Sequence, residues 1–126
     1  MSGDAPVSQS SGTIGTTVPP RRELLTVEVA STSGGVQATV RGELDESTAP
    51  KLIERIEGSV EPGQDLAVDL GGLTFCGSAG LSALILIERS VAGGGGSLTI
   101  ARATPFVVQL LEMAGLDGLI TAPPAA

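Results

Sequence analysis

The sequence predicts one layered α/β domain, in which helices cover a mixed β-sheet. Apolar and polar residues first alternate in two neighbouring segments, and helical and strand-like patterns then follow one another along the chain. Parallel neighbours in a sheet need crossover helices, so this order favours a mixed sheet. The 126 residues, 41% of them hydrophobic, suffice for one core and are too few for two comfortable domains.

The first two strands are expected to form a hairpin. The period of two is carried by Leu25, Val27 and Val29 in one segment and by Val36, Ala38 and Val40 in the next. Ser33-Gly34-Gly35 between the segments is typical of a turn. We therefore expect the two segments to pair in antiparallel fashion.

A helix is expected next, followed by a central strand. Ser47 or Thr48 can cap the helix, and Pro50 falls in its first turn, where a missing N–H costs nothing. Its apolar stripe consists of Leu52, Ile53, Ile56 and Val60. Leu66-Ala67-Val68-Asp69-Leu70 is a nearly continuous apolar run, which predicts a parallel strand covered on both faces.

The second half of the chain alternates helix and strand. After a glycine-rich loop, a helix is expected to begin near Ser78 and to be heavily buried, because residues 79–91 are apolar almost all round. Residues 97–101 predict a short strand, and Thr104-Pro105 supplies a cap and a first-turn proline for a helix that Gly115 stops. Residues 116–120 fit a last short strand or a half-turn. The predicted order is ββαβαβα, with a final β left open.

The domain is expected to span residues 23–122. Residues 1–22 are rich in Ser, Thr, Pro and Gly and contain few large apolar groups, which predicts a flexible tail. Residues 123–126 are expected to form a flexible C-terminus. The tail lacks a basic region followed by an apolar stretch, so no secretion signal is expected.

Charge and composition exclude several classes of partner. Fourteen acidic and 7 basic residues give a net charge of −7, which disfavours nucleic acid and anionic membrane surfaces and favours a basic protein partner. Cys76 is the single cysteine, so no intramolecular disulfide can form. No apolar run approaches the roughly 18 residues typical of a membrane span. The expected location is the cytoplasm.

The chain contains no histidine, which removes the commonest general base and metal ligand. Cys76-Gly77-Ser78-Ala79-Gly80 resembles the Gly-x-Ser-x-Gly nucleophile elbow, with cysteine in place of the first glycine. The only lysine, Lys51, lies in a solvated helix turn and gives the serine no base. A serine hydrolase is therefore the least favoured hypothesis. No acidic spacing is typical of a metal cage, and neither a metal nor a cofactor is expected.

Ser78 presents a hydroxyl at a helix amino-terminus, where unpaired N–H groups and the helix dipole stabilise an anion. A phosphoryl group there would add about −1.5 to −2 charge beside the acidic residues Glu43, Asp45 and Glu46. The alternative is that Ser78 is simply an N-cap, worth about 1 kcal/mol. Both interpretations stay open on these residues alone.

Four segments, in motif order, resemble the STAS-domain anti-sigma factor antagonists of bacteria. They are Arg41-Gly42-Glu43-Leu44-Asp45, residues 66–70, Phe75-Cys76-Gly77-Ser78-Ala79-Gly80-Leu81 and residues 105–116, and the likeness covers about residues 23–121. The resemblance implies a STAS-type fold and a regulator, not an enzyme. Such a protein binds an anti-sigma factor that is also a serine kinase, and so frees the sigma factor for transcription. Ser78 would be the phosphoacceptor that switches binding off, and a separate serine phosphatase would restore it.

The resemblance also implies a partner-binding surface around Ser78. Its predicted residues are Asp45, Phe75, Cys76, Gly77, Ser78, Ala79, Gly80 and Leu81. Asp45 is either a neighbour that tunes the switch or a residue that starts a helix. Phe75 fits a partner anchor or a core residue, and Phe106 is expected in the core. Cys76 fits a redox-sensitive thiol or an inert buried one.

The chain differs from the family pattern on both sides of the serine. The family usually has an acid before it and Ser or Thr after it, whereas this chain has Gly77 and Ala79. The difference motivates a second hypothesis, a STAS module that binds a partner constitutively in a signalling scaffold or a lipid-transport complex. That hypothesis needs no phosphorylation.

Overall fold

A computed structural model describes residues 24–120. These residues contain four strands: β1 Leu25–Ser31, β2 Gly35–Leu44, β3 Asp65–Cys76 and β4 Leu98–Ala103. The helices are α1 Ala49–Glu57, α2 Ser78–Gly93 and α3 Pro105–Met113, followed by a 3₁₀ turn at Asp117–Leu119. The predicted order ββαβαβα is confirmed. The flexible tail predicted for residues 1–22 and the end predicted for residues 123–126 lie outside the described residues.

The sheet has the strand order β1-β2-β3-β4. β1 and β2 pair in antiparallel fashion, with Val27 opposite Val40, which confirms the predicted hairpin. β3 is parallel to both β2 and β4, so the prediction of a central parallel strand is also confirmed. The sheet is therefore mixed, as the sequence indicates.

Helices cover one face of the sheet, and the prediction that β3 is covered on both faces is wrong. Leu66, Val68 and Leu70 are buried, whereas Ala67 and Asp69 between them are only half-buried. The crossovers through α1 and α2 step across the sheet in the same direction, and right-handed crossovers then put both helices on one face. The opposite face carries exposed polar residues, namely Thr26, Glu28, Gln37 and Arg41.

α2 is less buried than its composition predicts. Its buried positions form one stripe, which consists of Gly80, Ala83, Leu84, Ile87 and Val91. Leu86 on the outer side is 54% exposed. Phe106 is likewise 52% exposed, so its predicted place in the core is wrong. A helix on a one-sided sheet buries a single stripe, whatever the residues outside that stripe are.

β3 continues through the segment that the sequence predicts as a glycine-rich loop. Thr39 pairs with Asp69 and Arg41 with Gly72, so the parallel pairing extends past Gly71 and Gly72 with one extra residue in β3. A Cβ atom on Gly72 would lie 2.7 Å from Cγ of Arg41. The glycine thus gives room for the arginine stem of the neighbouring strand, and the chain stays extended.

The last segment combines both of its predicted alternatives. Thr104 Oγ1 accepts a hydrogen bond from Val107 N at 3.3 Å and caps α3, and Gly115 after the helix has a φ of +75°. The 3₁₀ turn then brings Ile120 into a single parallel bridge with Ile100. The predicted last strand is therefore a single β-bridge that follows a 3₁₀ turn.

Candidate functional site

A second irregularity near the end of β3 decides which side chains face outward. Gly42 pairs with Leu73 and Glu43 pairs with Phe75, which leaves Thr74 as an extra residue. Strict alternation from the buried Leu73 would direct Phe75 into the core. Because a bulge inserts one residue, Phe75 is instead 47% exposed and Cys76 takes the buried position, with 3% exposure.

Gly77, not Ser78, is the N-cap of α2. Gly77 N donates to Leu44 O at 3.0 Å, and its carbonyl oxygen accepts from Gly80 N and Leu81 N at 3.0 and 3.2 Å. Ser78 is the first helical residue, and its side chain is exposed. The interpretation of Ser78 as an N-cap is therefore wrong.

The Ser78 hydroxyl lies at the positive end of the α2 dipole. Among residues 24–120, no hydrogen bond involves the Ser78 hydroxyl, and the backbone N–H groups of Ser78 and Ala79 have no acceptor. Such N–H groups and the helix dipole stabilise negative charge. The start of α2 can thus accommodate an anion on the Ser78 oxygen.

Cys76 lies below this surface and packs against the helix. A Cβ atom on Gly80 would come within 2.8 Å of Leu44 Cγ and 3.0 Å of Cys76 Sγ, so glycine lets α2 approach the strand ends closely. Burial raises the pKa of the Cys76 thiol, which keeps it protonated near neutral pH. These contacts favour the inert buried thiol over a redox-sensitive one.

Asp45 lies in the turn that starts α1. Its Oδ1 atom accepts hydrogen bonds from Ser47 N at 2.9 Å, Ser47 Oγ at 2.7 Å and Thr48 N at 3.1 Å. The Ser47 hydroxyl is the main cause that lowers the pKa of the Asp45 carboxyl, and the backbone bonds add to it against partial burial. The carboxylate is therefore ionised near neutral pH and starts a helix.

Thr48 links this turn to the end of β2. Its Oγ1 donates to Glu43 O at 2.8 Å and accepts from Asp45 N at 2.9 Å, and the residue is only 8% exposed. Although Thr48 occupies the N-cap position of α1, its side chain makes no capping bond to the helix. The prediction that Ser47 or Thr48 lies at the cap is thus confirmed for the position of Thr48 and wrong for a capping bond. The hydrogen bonds of both side chains within the turn were missed, although the Asp-x-Ser-Thr spacing of an Asx turn could have indicated them.

The two turns meet in an open depression of about 400 Å³. Its lining consists of Asp45, Glu46, Ser47, Phe75, Gly77, Ser78 and Ala79. Five residues predicted for the partner surface are thus brought together, and Glu46 and Ser47 join them. Cys76 and Gly80 are buried and Leu81 is half-buried, and none of the three lines the depression.

The lining of the depression is acidic and carries hydroxyl groups beside one aromatic ring. It contains two carboxylates and two hydroxyls but no amine or imidazole that could take a proton from Ser78. The Lys51 ammonium donates to Leu25 O at 2.9 Å. Within residues 24–120, no cluster of three or more His, Cys, Asp or Glu side chains could bind a metal ion. None of the helices described is long and apolar enough to cross a membrane.

Comparison with known proteins identifies the domain. Residues 27–121 match the family described as Mlab, STAS domain. The chain belongs to the STAS domain family. A curated relative, the anti-sigma-B factor antagonist of Bacillus subtilis (strain 168), is 28% identical over 96 residues, which cover 76% of this chain and 88% of the relative.

Solved structures agree with this STAS fold. An anti-sigma factor antagonist from Mycobacterium paratuberculosis superposes with a TM-score of 0.69 and 27% identity, and the match covers 80% of this chain and 86% of that one. The Bacillus cell fate determinant SpoIIAA in its phosphorylated form gives a TM-score of 0.62 at 17% identity, with 79% of this chain and 93% of that one covered. The second likeness concerns the fold alone.

Proposed function

We propose that this STAS domain is an anti-sigma factor antagonist whose binding is switched off by phosphorylation of Ser78. The observation that carries the proposal is the exposed Ser78 hydroxyl, which lies at the first residue of α2 and in one depression with Asp45. The relatives from Bacillus subtilis and Mycobacterium paratuberculosis bear the name of this function. The unmodified chain binds an anti-sigma factor in the bacterial cytoplasm, and the sigma factor is released.

In this proposal the chain is the substrate of a kinase and not itself an enzyme. The anti-sigma factor, acting as a serine kinase, transfers the γ-phosphoryl group of ATP to the Ser78 oxygen, and ADP leaves. The hydroxyl proton passes to a base or to solvent on the kinase side, because the lining of the depression offers no amine or imidazole. A separate serine phosphatase hydrolyses the phosphate ester and returns the hydroxyl.

Electrostatics explain how the modification changes binding without refolding the domain. The phosphoryl group adds about −1.5 to −2 charge, which the free N–H groups of Ser78 and Ala79 stabilise. The same charge lies beside the carboxylates of Asp45 and Glu46 on the surface that the partner contacts. The helix thus tolerates the phosphate, while the partner meets a surface of altered charge.

The direct test is phosphorylation by a purified anti-sigma factor in the presence of ATP and Mg²⁺. Mass spectrometry should find one phosphoryl group on Ser78, and none on the Ser78→Ala variant. Ser82→Ala is the matched control, because Ser82 is an exposed serine one turn further along α2. A chain that is neither labelled nor bound by any anti-sigma factor of its genome would contradict the proposal.

A specific observation favours a second candidate, a STAS module that binds its partner constitutively. Asp45 and Glu46 repel a phosphate on Ser78, and no basic side chain in the lining offsets them. Under this alternative, Ser78→Ala and Ser78→Asp bind the partner equally well, in a signalling scaffold or a lipid-transport complex. Under the first proposal, Ser78→Ala binds and Ser78→Asp loses affinity. Binding titrations with both variants separate the two.

A further inference from the structure

Phe75 is a half-exposed aromatic residue whose position depends on two local features of the backbone. The bulge at Thr74 turns it out of the core, since Phe75 pairs with Glu43 while Leu73 pairs with Gly42. Two residues further on, Gly77 leaves space for the ring. A Cβ atom on Gly77 would lie 3.3 Å from Cε2 and 3.5 Å from Cζ of Phe75.

The ring therefore lies over the backbone that leads into α2, at the rim of the depression. Phe75 and Ser78 line the same depression, so a partner that reaches the serine also meets the ring. Phe106 on α3 provides a comparison, because it is exposed to a similar extent, 52% against 47%, and is absent from this lining. Of the two phenylalanines, Phe75 alone combines exposure with closeness to Ser78.

The surroundings of the ring are acidic. Glu43, its register partner on β2, is exposed, and the carboxylates of Asp45 and Glu46 line the depression. No basic side chain belongs to that lining. An apolar ring bordered by carboxylates is complementary to an apolar socket bordered by Lys or Arg side chains.

We propose that Phe75 is the anchor of the interface with the anti-sigma factor, and that Gly77 sets its position. The ring inserts into an apolar socket with a cationic rim on the partner, and the carboxylates around it pair with that rim. This inference rests on the proposed function and adds the chemistry of the partner. It also makes Phe75 and Gly77 a specificity-determining pair, because a side chain at position 77 would press against the ring and shift it slightly.

Calorimetric titration of the full chain with the anti-sigma factor that it binds provides the test. Phe75→Ala should weaken binding about 30-fold, as is typical of a desolvated aromatic anchor. Phe106→Ala, the matched control, should stay within about twofold of the wild type. Phe75→Leu keeps an apolar group and should recover part of the affinity. Circular dichroism of each variant verifies that the domain is folded.

The coupling between the two positions distinguishes an anchor from a merely structural residue. Gly77→Ala should weaken binding less than Phe75→Ala does, and it should have no further effect once Phe75 is alanine. Glu46→Gln should lower the association rate at low salt, whereas Glu112→Gln on α3 should leave it unchanged. If the effects of Phe75→Ala and Gly77→Ala on the binding free energy add up in the double variant, the two positions are not coupled, and the pair is contradicted.

Failure of the proposed function and failure of the Phe75 anchor give different binding results. If the unmodified wild-type chain binds no anti-sigma factor, the proposed function and this inference are both overturned. If the wild type binds and Phe75→Ala binds as well as Phe106→Ala, the anchor is overturned and the proposed function stands.

Discussion

The two ends of the β-sheet use the same Asp–Ser pairing in different settings. Where β3 and β4 begin, Asp65 Oδ1 accepts from Ser97 N at 3.0 Å and from Ser97 Oγ at 3.2 Å. At the opposite end, Asp45 Oδ1 accepts from Ser47 N at 2.9 Å and Ser47 Oγ at 2.7 Å. The first pair joins two strands, and the second shapes one turn beside Ser78.

The two ends differ in how closed they are, although close backbone packing at a glycine occurs at both, since a Cβ atom on Gly42 near the end of β2 would overlap the Leu24 carbonyl. Where the strands begin, a Cβ atom on Gly35 or Gly96 would overlap the backbone carbonyl of Asp65 or Gln64, so backbone packs directly on backbone. Where β2 and β3 finish, the depression stays open. Open α/β sheets commonly bind ligands outside the carboxyl ends of their strands. One end is therefore closed by packed backbone, and the other offers an open surface to the proposed partner.

The largest expected effect is at the closed end. Gly96→Ala places a Cβ atom against the Gln64 carbonyl and should lower the free energy of unfolding by about 3 kcal/mol, because backbone has to move. Urea denaturation measures this loss. Gly93→Ala is the control, since a Cβ atom there meets nothing within 4 Å, and its stability should be unchanged or higher. Equal stability of the two variants would contradict the tight backbone packing at this end.

A smaller loss is expected from Gly80→Ala at the open end. The new Cβ atom meets Leu44 Cγ and Cys76 Sγ, which are side-chain atoms that can shift, and alanine favours the helix by about 1 kcal/mol. The net loss in the free energy of unfolding should be about 1 kcal/mol. Affinity for the anti-sigma factor should fall as well, because the start of α2 moves. Unchanged affinity would indicate that the partner does not depend on the position of Ser78.

A third prediction concerns the pH dependence of the free energy of unfolding. Its expected effect is smaller than that of either glycine substitution. The folded pKa of Asp45 is lowered from 3.8, so its ionised form stabilises the fold above that value. This contribution is lost as the pH falls through the lower, folded pKa. Urea unfolding from about pH 6 to about pH 3 should show a shallower pH dependence for Asp45→Asn than for the wild type. Ser47→Ala should reduce the dependence in part, since it removes the main cause of the lowered pKa.

The smallest effect is expected from the serine hydroxyls themselves. Ser97→Ala loses one exposed hydrogen bond to Asp65 and should cost about 0.5 kcal/mol in the free energy of unfolding. It should not change binding to the anti-sigma factor, whereas Ser47→Ala should change it, because only Ser47 lines the depression. Surface plasmon resonance with both variants measures the contrast. A binding defect in Ser97→Ala would contradict it.

Much of the fold is predictable because its signals are local. Period-two alternation, the turn at Gly34, the Thr104-Pro105 helix start and the Gly115 stop each depend on a few adjacent residues. All of these elements are present in the structure. The side of the sheet that the helices cover cannot be predicted from such local signals. It follows from the direction in which the crossovers step across the sheet, and not from any single segment.

The candidate site was only partly predictable for the same reason. Ser78 at the start of α2 follows from the local pattern, although the cap lies one residue earlier, at Gly77. Asp45 was expected beside Ser78 as part of an acidic cluster, and its role as a neighbour that tunes the switch came from the family resemblance. The exposure of Phe75 depends on how β3 pairs with β2, and pairing with a distant strand leaves no period in the sequence itself.

The bulge at Thr74 also changes how variation of this surface should be considered. In a strand, one added residue reverses the side on which all following residues lie until the next irregularity. Loss of the single residue Thr74 would restore strict alternation from Leu73, and Phe75 would still point outward and Cys76 inward. What the bulge adds is Thr74 itself, an exposed side chain directly before Phe75, so chain length at this point decides whether the proposed partner surface includes a hydroxyl beside the ring.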